Sequence, residues 1–352
     1  MLLPEDDYPI HQTALPLAHV MDGHPNAYDR FWFNGYDEST YFAVALGLYP
    51  NRGVIDGAFS VVQGNQQYSV FASDALVGRP TNVGAISIEI VEPLRVNRIR
   101  IDAPAQGLFA DLVYTQRTAT VEEPRQTMHD GPRIFMDATR ATQLGTWSGW
   151  LETPQGRTEL GASFVGTKDR SWGVRPVGEP LPGAPGTRAP QLCFFWAPIN
   201  FDTRGVHFMT FNDSDGVATS ESASLLALAG NGVAVPTRAT LDYEAAAGTR
   251  WLQRAVLTID GEAIELTPLY RFQMRGAGYS HPQFSHGRWH GGAVQEGEVL
   301  DLDQLDPLEY SNIHVQHVVR ATGPSGTGIG VLEQLIIGPY RPAGLNGLLD
   351  GG

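Results

Sequence analysis

Apolar and polar positions alternate along much of this chain. Ile86, Ile88 and Ile90 alternate with Ser87 and Glu89, and Leu94 and Val96 with Arg95 and Asn97. A period of two puts one set of side chains on one face of a strand. The apolar register then moves by one to Ile99 and Ile101, which predicts a β-bulge. Ahead of this lie aromatic and apolar runs at 30–34, 41–49, 55–59 and 68–71, separated by polar turns at 35–38, 50–53 and 63–66. That is the pattern of a meander. Further strands are expected at 112–121, 147–151 and 160–165, with a turn at 129–133. The second half repeats the style with strands at 192–196 and 207–211 and a turn at 212–216. Asp260 and Gly261 between two apolar runs, 255–259 and 263–266, are a strong hairpin signal. A last pair, 313–319 and 330–337, brackets the turn at 323–326. Only three short stretches, 221–229, 243–247 and 300–305, read as helices.

Composition points the same way. Forty glycines and 24 prolines in 352 residues supply many turns, and the expected fold class is all-β, with antiparallel sheets. Residues 1–29 read as an irregular arm, because Pro4, Pro9, Pro16 and Pro25 block long helices. The stretch 178–190 is rich in Pro and Gly and lacks an apolar period, so it reads as a linker. This gives an N-terminal β domain over 1–177 and a C-terminal one over 191–352. Both open with an aromatic strand, a polar turn and an apolar return strand, a pattern that fits two barrel or open-barrel domains.

A net charge of −14 and the absence of any basic run disfavour nucleic acid and anionic membrane surfaces as partners. No apolar run approaches the roughly 20 residues of a membrane-spanning helix. Cys193 is alone, so no intrachain disulfide can form. The acidic start of the chain is unlike a secretory signal, and the expected location is the cytoplasm. A nucleophile elbow, a phosphate-binding loop and a dinucleotide fingerprint are all missing.

Two stretches concentrate chemistry. Asp169, Arg170, Ser171, Trp172, Gly173 and Arg175 place an acid, two guanidinium groups and an indole within seven residues. The segment 279–291 carries Tyr279, His281, Phe284, His286, Trp289 and His290. Asp169 to Gly173 resembles a recurring motif of the lipocalin-like carotenoid-hydratase superfamily: an Asp, a basic residue, a variable position, then Trp-Gly. That group includes the hydroxyneurosporene synthases, and fungal decalin-forming cyclases share its two-domain fold. The run 30–36 has the same flavour. The resemblance implies two lipocalin-like β domains over nearly the whole chain and an apolar ligand cavity between or within them. The histidine-rich segment has no counterpart in the carotenoid enzymes proper, which implies a separate, non-carotenoid branch.

Adding water to an isolated alkene needs a strong proton donor. A carboxyl group serves only if an apolar setting keeps it protonated near neutral pH. Asp169 is the candidate donor, and Trp172 would wall the site and face a cation with its π cloud. Pairing with Arg170 or Arg175 would defeat this by lowering the pKa, but neighbouring strand residues point to opposite faces, so Asp169 and Arg170 should diverge. His281, His286 or His290 would handle water as a base. Their spacing lacks a strict zinc signature, and loop-bracing hydrogen bonds are an equal alternative for them. Tyr279, Phe284 and Trp289 would wall the ligand, with Arg170, Tyr36 and Tyr310 as further contacts. Asp37, His207, His314, Gln316 and His317 are secondary candidates that individually read as ordinary strand or turn residues.

The expected function is an acid–base enzyme without a cofactor or metal. It would hydrate, dehydrate or isomerise a hydrophobic terpenoid- or polyketide-like molecule. The alternatives are a non-catalytic carrier or sensor of an apolar ligand, and a pericyclic cyclase that works by enclosing a polyene.

Overall fold

The computed structural model describes residues 3, 8–177, 190–228 and 234–351. The linker expected at 178–190 therefore lies, apart from residue 190, outside the described residues. The chain begins with a meander of four ten-residue strands: β1 (Ala27–Tyr36), β2 (Thr40–Tyr49), β3 (Val54–Gln63) and β4 (Gln66–Ala75). Then come β5 (Asn82–Val83), β6 (Ile86–Glu92), β7 (Val96–Ala103) and β8 (Leu108–Gln116). Two short strands, β9 (Val121–Glu122) and β10 (Gln126–Asp130), precede the long β11 (Arg133–Thr153). β12 (Gly156–Leu160) leads into β13 (Val165–Val174), which inserts between β1 and β11.

The second half starts with β14 (Leu192–Trp196), β15 (Ile199–Phe201), β16 (Arg204–Asn212), β17 (Ala218–Ala227) and β18 (Ala234–Pro236). It continues with β19 (Ala239–Ala245), β20 (Leu252–Ile259) and β21 (Glu262–Gln273). β22 (Val294–Asp301) leaves the second sheet and pairs with β4 at the edge of the first. β23 (Val315–Gly323) and β24 (Gly326–Ile337) close the second sheet. The result is two curled antiparallel sheets, of 14 and 10 strands among the described residues, as the period-two patterning requires. Apart from three single-turn 3-10 segments, no helix is present among these residues, and none is long and apolar enough to cross a membrane.

The three expected helices are corrected. Residues 221–227 belong to β17, 243–245 to β19, and 300–301 to β22. Each was too short to nucleate a helix alone, and sheet pairing captures it. The expected strand at 160–165 is mostly turn. The register slip expected between Val96 and Ile99 is absent from β7, which alternates regularly from Val96 onward. Leu94 sits in the β6–β7 turn with φ 60°, and the bulge lies earlier, between Ile90 and Glu92. At the β20–β21 hairpin, Asp260 and Gly261 adopt φ 50° and 79°, both in the left-handed region that this turn demands.

Each sheet wraps its own apolar core. The first gathers Phe31, Phe33, Val44, Leu46, Phe59, Ile99, Leu112 and Trp147; the second gathers Phe195, Phe208, Leu257, Ile264 and Leu332. Glycine makes room in the first core. Gly35, Gly166 and Gly145 lie side by side on β1, β13 and β11. The indole of Trp147 packs over two of them and donates to Asn34 O at 2.9 Å. A third cluster differs in kind. Trp32, Tyr36, Tyr41, Phe194, Trp196, Met209, Phe211, Phe272 and Val318 come from both sheets. It is formed where the outer faces of the two curled sheets meet, so these strands are covered on both sides.

Candidate functional site between the two sheets

Alternation along β1 turns Phe31 and Phe33 into the first core and leaves Arg30, Trp32, Asn34 and Tyr36 on the face towards the second sheet. Cross-strand register carries that face outward. Trp32 lies opposite Asp169, which lies opposite Thr142; Arg30 lies opposite Ser171, which lies opposite Arg140. The second sheet contributes His207, Met209 and Phe211 from β16, Phe194 and Trp196 from β14, Gln316 from β23 and Glu333 from β24.

Asp169 keeps some exposed surface, but its Oδ1 is buried and has no hydrogen-bond partner among the described residues. Burial pushes its carboxyl up to about 7. Arg140 pulls it down, Glu123 and Glu333 push it up again, and Arg175 pulls it down more weakly. Arg170 takes no part. It points to the opposite face, stacks 3.8 Å over the Phe31 ring and pairs with Asp29 at 2.7 Å. The divergence follows from adjacency on one strand. Arg170 as a ligand contact is therefore corrected to the partner of Asp29.

Beside Asp169 is a buried charge relay. Arg140 Nε lies 3.0 Å from Glu123 Oε2, His207 Nε2 lies 3.0 Å from Glu123 Oε1, and Thr142 Oγ1 donates to the same oxygen at 3.0 Å. Burial alone would raise the Glu123 carboxyl; Arg140, His207 and Thr142 outweigh it and hold it at about 2. An ionised carboxylate only accepts, so His207 carries its proton on Nε2. Its Nδ1 lone pair is left buried and without a partner among the described residues. A second polar chain crosses between the sheets. Asn34 Nδ2 and Tyr41 OH donate to Gln316 Oε1 at 3.0 and 2.6 Å, Gln316 Nε2 donates to Glu333 Oε2 at 2.6 Å, and His314 Nε2 to Glu333 Oε1 at 2.7 Å.

The segment 279–291 reaches this face through Tyr279. Its ring packs edge-on to Trp32, His286 and His314, with centroids 6.2, 4.4 and 4.8 Å away. His286 has both nitrogens engaged. Nε2 donates to Ala277 O at 2.8 Å, so Nδ1 is the acceptor that Arg30 and Arg175 reach at 2.8 and 3.2 Å. Burial first, then those two guanidinium groups, holds its pKa well below the ordinary value. This histidine is a neutral strut, with no lone pair left for a base. His281 Nδ1 accepts from the amides of Gln283 and Phe284, so it braces the loop. His290 stacks on Phe284, which stacks on Phe71. These rings border a cavity of about 10 Å³ that also touches Asp56, Ala277 and His286, room for about one water. Burial raises the Asp56 carboxyl to about 6 against its hydrogen bonds to Gly287 N and Tyr49 OH. Among the described residues no three His, Cys, Asp or Glu side chains converge as metal ligands would.

Three expected aromatic walls are corrected. Trp172, Trp289 and Tyr310 are 44%, 49% and 52% exposed. Trp172 shares the phase of Arg170, opposite to Asp169; the other two lie on loops. Tyr36 is buried between the sheets, stacked on Tyr41, and accepts a hydrogen bond from Asn200 at 3.3 Å. No local motif in the sequence marks Trp32, Arg140, Glu123 or Glu333, and His207 and His314 look there like ordinary strand residues. The available signal was a charged residue within an otherwise apolar run, as at Arg30, His207 and Glu333.

No curated protein matches the chain by sequence. A Nitrosomonas europaea protein provisionally designated AttH shares the fold, with a TM-score of 0.56 and 12% identity over 88% of this chain and 92% of that one. Kievitone hydratase from Nectria haematococca is similar more loosely, with a TM-score of 0.47 and 11% identity over 87% and 88%. The first likeness fixes the architecture as two lipocalin-like β domains and goes no further. By its sequence pattern, matched over residues 2–346, the chain belongs to a family of unknown function, DUF8625.

Proposed function

We propose that this chain is a cofactor-independent acid–base enzyme, a hydratase, dehydratase or isomerase, acting on an apolar terpenoid- or polyketide-like molecule between its two sheets. It would form a non-carotenoid branch of the carotenoid-hydratase-like superfamily. The observation that carries the reading is Asp169: a carboxyl with a buried, unpartnered oxygen, raised to about 7 beside Trp32. Asp169, Arg140, Arg175 and Tyr279 are each partly exposed, so this face can be approached from solvent. The packed interiors of both sheets disfavour a ligand carried inside a barrel.

In the hydration direction Asp169 gives its proton to one alkene carbon. The π pair forms the new C–H bond and leaves a cation at the other carbon, facing the Trp32 ring. A water oxygen then bonds to the cation and releases a proton to His207 Nδ1. Glu123, on the far side of the imidazole, stabilises the imidazolium. Return of that proton to Asp169 closes the cycle, and dehydration is the reverse. Thr142 joins the two halves: it is the cross-strand neighbour of Asp169 and donates to Glu123.

The test is a screen of terpenoids and polyketides by thermal shift, followed by incubation of stabilising compounds in H2(18)O and mass spectrometry of the products. A product with an added or lost water, formed 10²–10⁴-fold more slowly by Asp169→Asn, is the expected result. Undiminished turnover by that variant would refute the role of Asp169.

A further inference from the structure

Two guanidinium groups converge on one uncharged nitrogen. Arg30, only 1% exposed, places Nη1 2.8 Å from His286 Nδ1, and Arg175 places Nη2 3.2 Å from the same atom. The imidazole donates its other nitrogen to Ala277 O, so it brings no negative charge. Arg30 Nη2 donates to the same carbonyl at 3.2 Å. The Nε atoms of both arginines are buried without a hydrogen-bond partner among the described residues. Aromatic faces complete the surround: Tyr279 lies 4.7 Å from the Arg30 guanidinium and 5.5 Å from that of Arg175, and Tyr28 lies 4.6 Å from the latter.

Four other shielded arginines answer to carboxylates, Arg140 to Glu123, Arg170 to Asp29, Arg275 to Glu298 and Arg250 to Asp350, while Arg117 and Arg271 rest on backbone carbonyls. Arg30 and Arg175 form no such ion pair among the described residues. Burying like charges together without a counter-ion is unfavourable. Asp56, which both guanidinium groups pull down and whose carboxyl lies at about 6, offsets one of the two charges, whereas Asp169, raised to about 7, offsets little of the other. The pair thus lacks one anion, and guanidinium forks fit carboxylate oxygens.

Its place in the sheet gives that anion a role. Arg30 is two residues from Trp32 on the same face of β1, and its cross-strand partner Ser171 is two residues from Asp169 on β13. Such positions are about 7 Å apart along a strand. We propose that Arg30 and Arg175 bind a carboxylate of the ligand, so that the molecule acted on is an apolar carboxylic acid laid along Trp32 with its reacting carbons at Asp169. The words "acted on" rest on the acid–base reading above; the anion site does not. A monoanion fits better than a dianionic phosphate, because Asp56 and Asp169 stand close by. A bound carboxylate also neutralises the Arg175 charge that pulls Asp169 down, which keeps the acid protonated once the ligand is in place.

Binding of decanoate, decanol, decyl phosphate and acetate, compared by calorimetry and thermal shift at fixed ionic strength, tests this. Decanoate should bind at least tenfold more tightly than decanol, and acetate should stabilise the protein more than the same concentration of chloride. Arg175→Met should erase the preference for decanoate over decanol, while Arg175→Lys should keep part of it. Equal binding of decanoate and decanol overturns the proposal, as does an unchanged preference in folded Arg175→Met, or tighter binding of decyl phosphate than of decanoate. Asp169→Asn should bind decanoate as tightly as the wild type or more so. If it does so and still turns over a true substrate at full rate, the acid role fails and the anion site stands.

Discussion

Replacing Asp169 by Asn should stabilise the protein, and the gain should depend on pH. The carboxyl holds its proton up to about pH 7 in the folded state, against an ordinary value of 3.8. Between those two values the folded chain binds more protons than the unfolded one, so wild-type stability falls as pH rises through this window. An interval of about three pH units at 1.36 kcal/mol each sets a ceiling of roughly 4 kcal/mol. Asp169 retains some exposed surface, which brings the expected figure to about 2–3 kcal/mol after solvent screening. Asn preserves the shape and removes the ionisation. Urea unfolding of both proteins from pH 4 to pH 8 measures the effect. The variant should lie within about 0.5 kcal/mol of the wild type near pH 4, where the folded-state acid is protonated and the unfolded one is about half ionised. It should gain through pH 5–7 and level off above, with an unchanged m-value. Asp56 titrates in both proteins and largely cancels in the difference. A difference that stays flat with pH would refute the reasoning. So would a variant that loses stability above pH 7, which would mean that Asp169 is ionised and paired with Arg140.

Three other substitutions probe the neighbouring parts. Glu123→Gln leaves Arg140 and His207 without their buried counter-charge and should cost about 3–5 kcal/mol in urea unfolding at pH 7; a loss below 1 kcal/mol would mean that the relay is not formed. Gly166→Ala would put a methyl group 2.0 Å from Asn34 O, so a loss of about 3 kcal/mol or more is expected from overpacking, with a lower thermal midpoint as the readout. Trp172→Ala, at 44% exposure, should change stability by no more than about 0.5 kcal/mol and leave ligand stabilisation intact; a tenfold loss of ligand affinity would restore Trp172 to the site.

How much of this was readable from the chain depends on how many faces of a strand are covered. β6, β7 and β8 carry one core face and one wetter face, and their alternation is plain in the sequence. β1 and β2 are buried almost throughout. They read as aromatic or apolar runs, whose strand character comes from the turns that bound them. The hairpin at Asp260 and Gly261 was legible because its backbone needs those residue types. The short helices were misread because local propensity is a weak signal against sheet pairing, as for Ser222 and Leu226 of β17 against Met209 and Gly205 of β16.

The site itself was half legible, for a geometric reason. Asp169 stood out because its charged and aromatic neighbours crowd it in sequence, yet those neighbours serve elsewhere: Arg170 pairs with Asp29 and Trp172 turns to solvent. The groups that set its chemistry come from five other strands or loops spread between Arg30 and Glu333. A face built from two sheets collects residues by register and packing, at distances along the chain that no local pattern records. What can be recovered is phase. His207, Met209 and Phe211 alternate on β16, as do Arg30, Trp32, Asn34 and Tyr36 on β1, and in each set a charged or titratable residue shares its phase with aromatics. A polar residue in phase with large apolar ones is not a solvated strand position. It must lie under another layer, where it is either hydrogen-bonded or retained for a ligand. By that criterion Arg30 and His207 would have ranked above the histidines at 281, 286 and 290. Those sit on a loop, where two of them make the hydrogen bonds that hold its backbone in place.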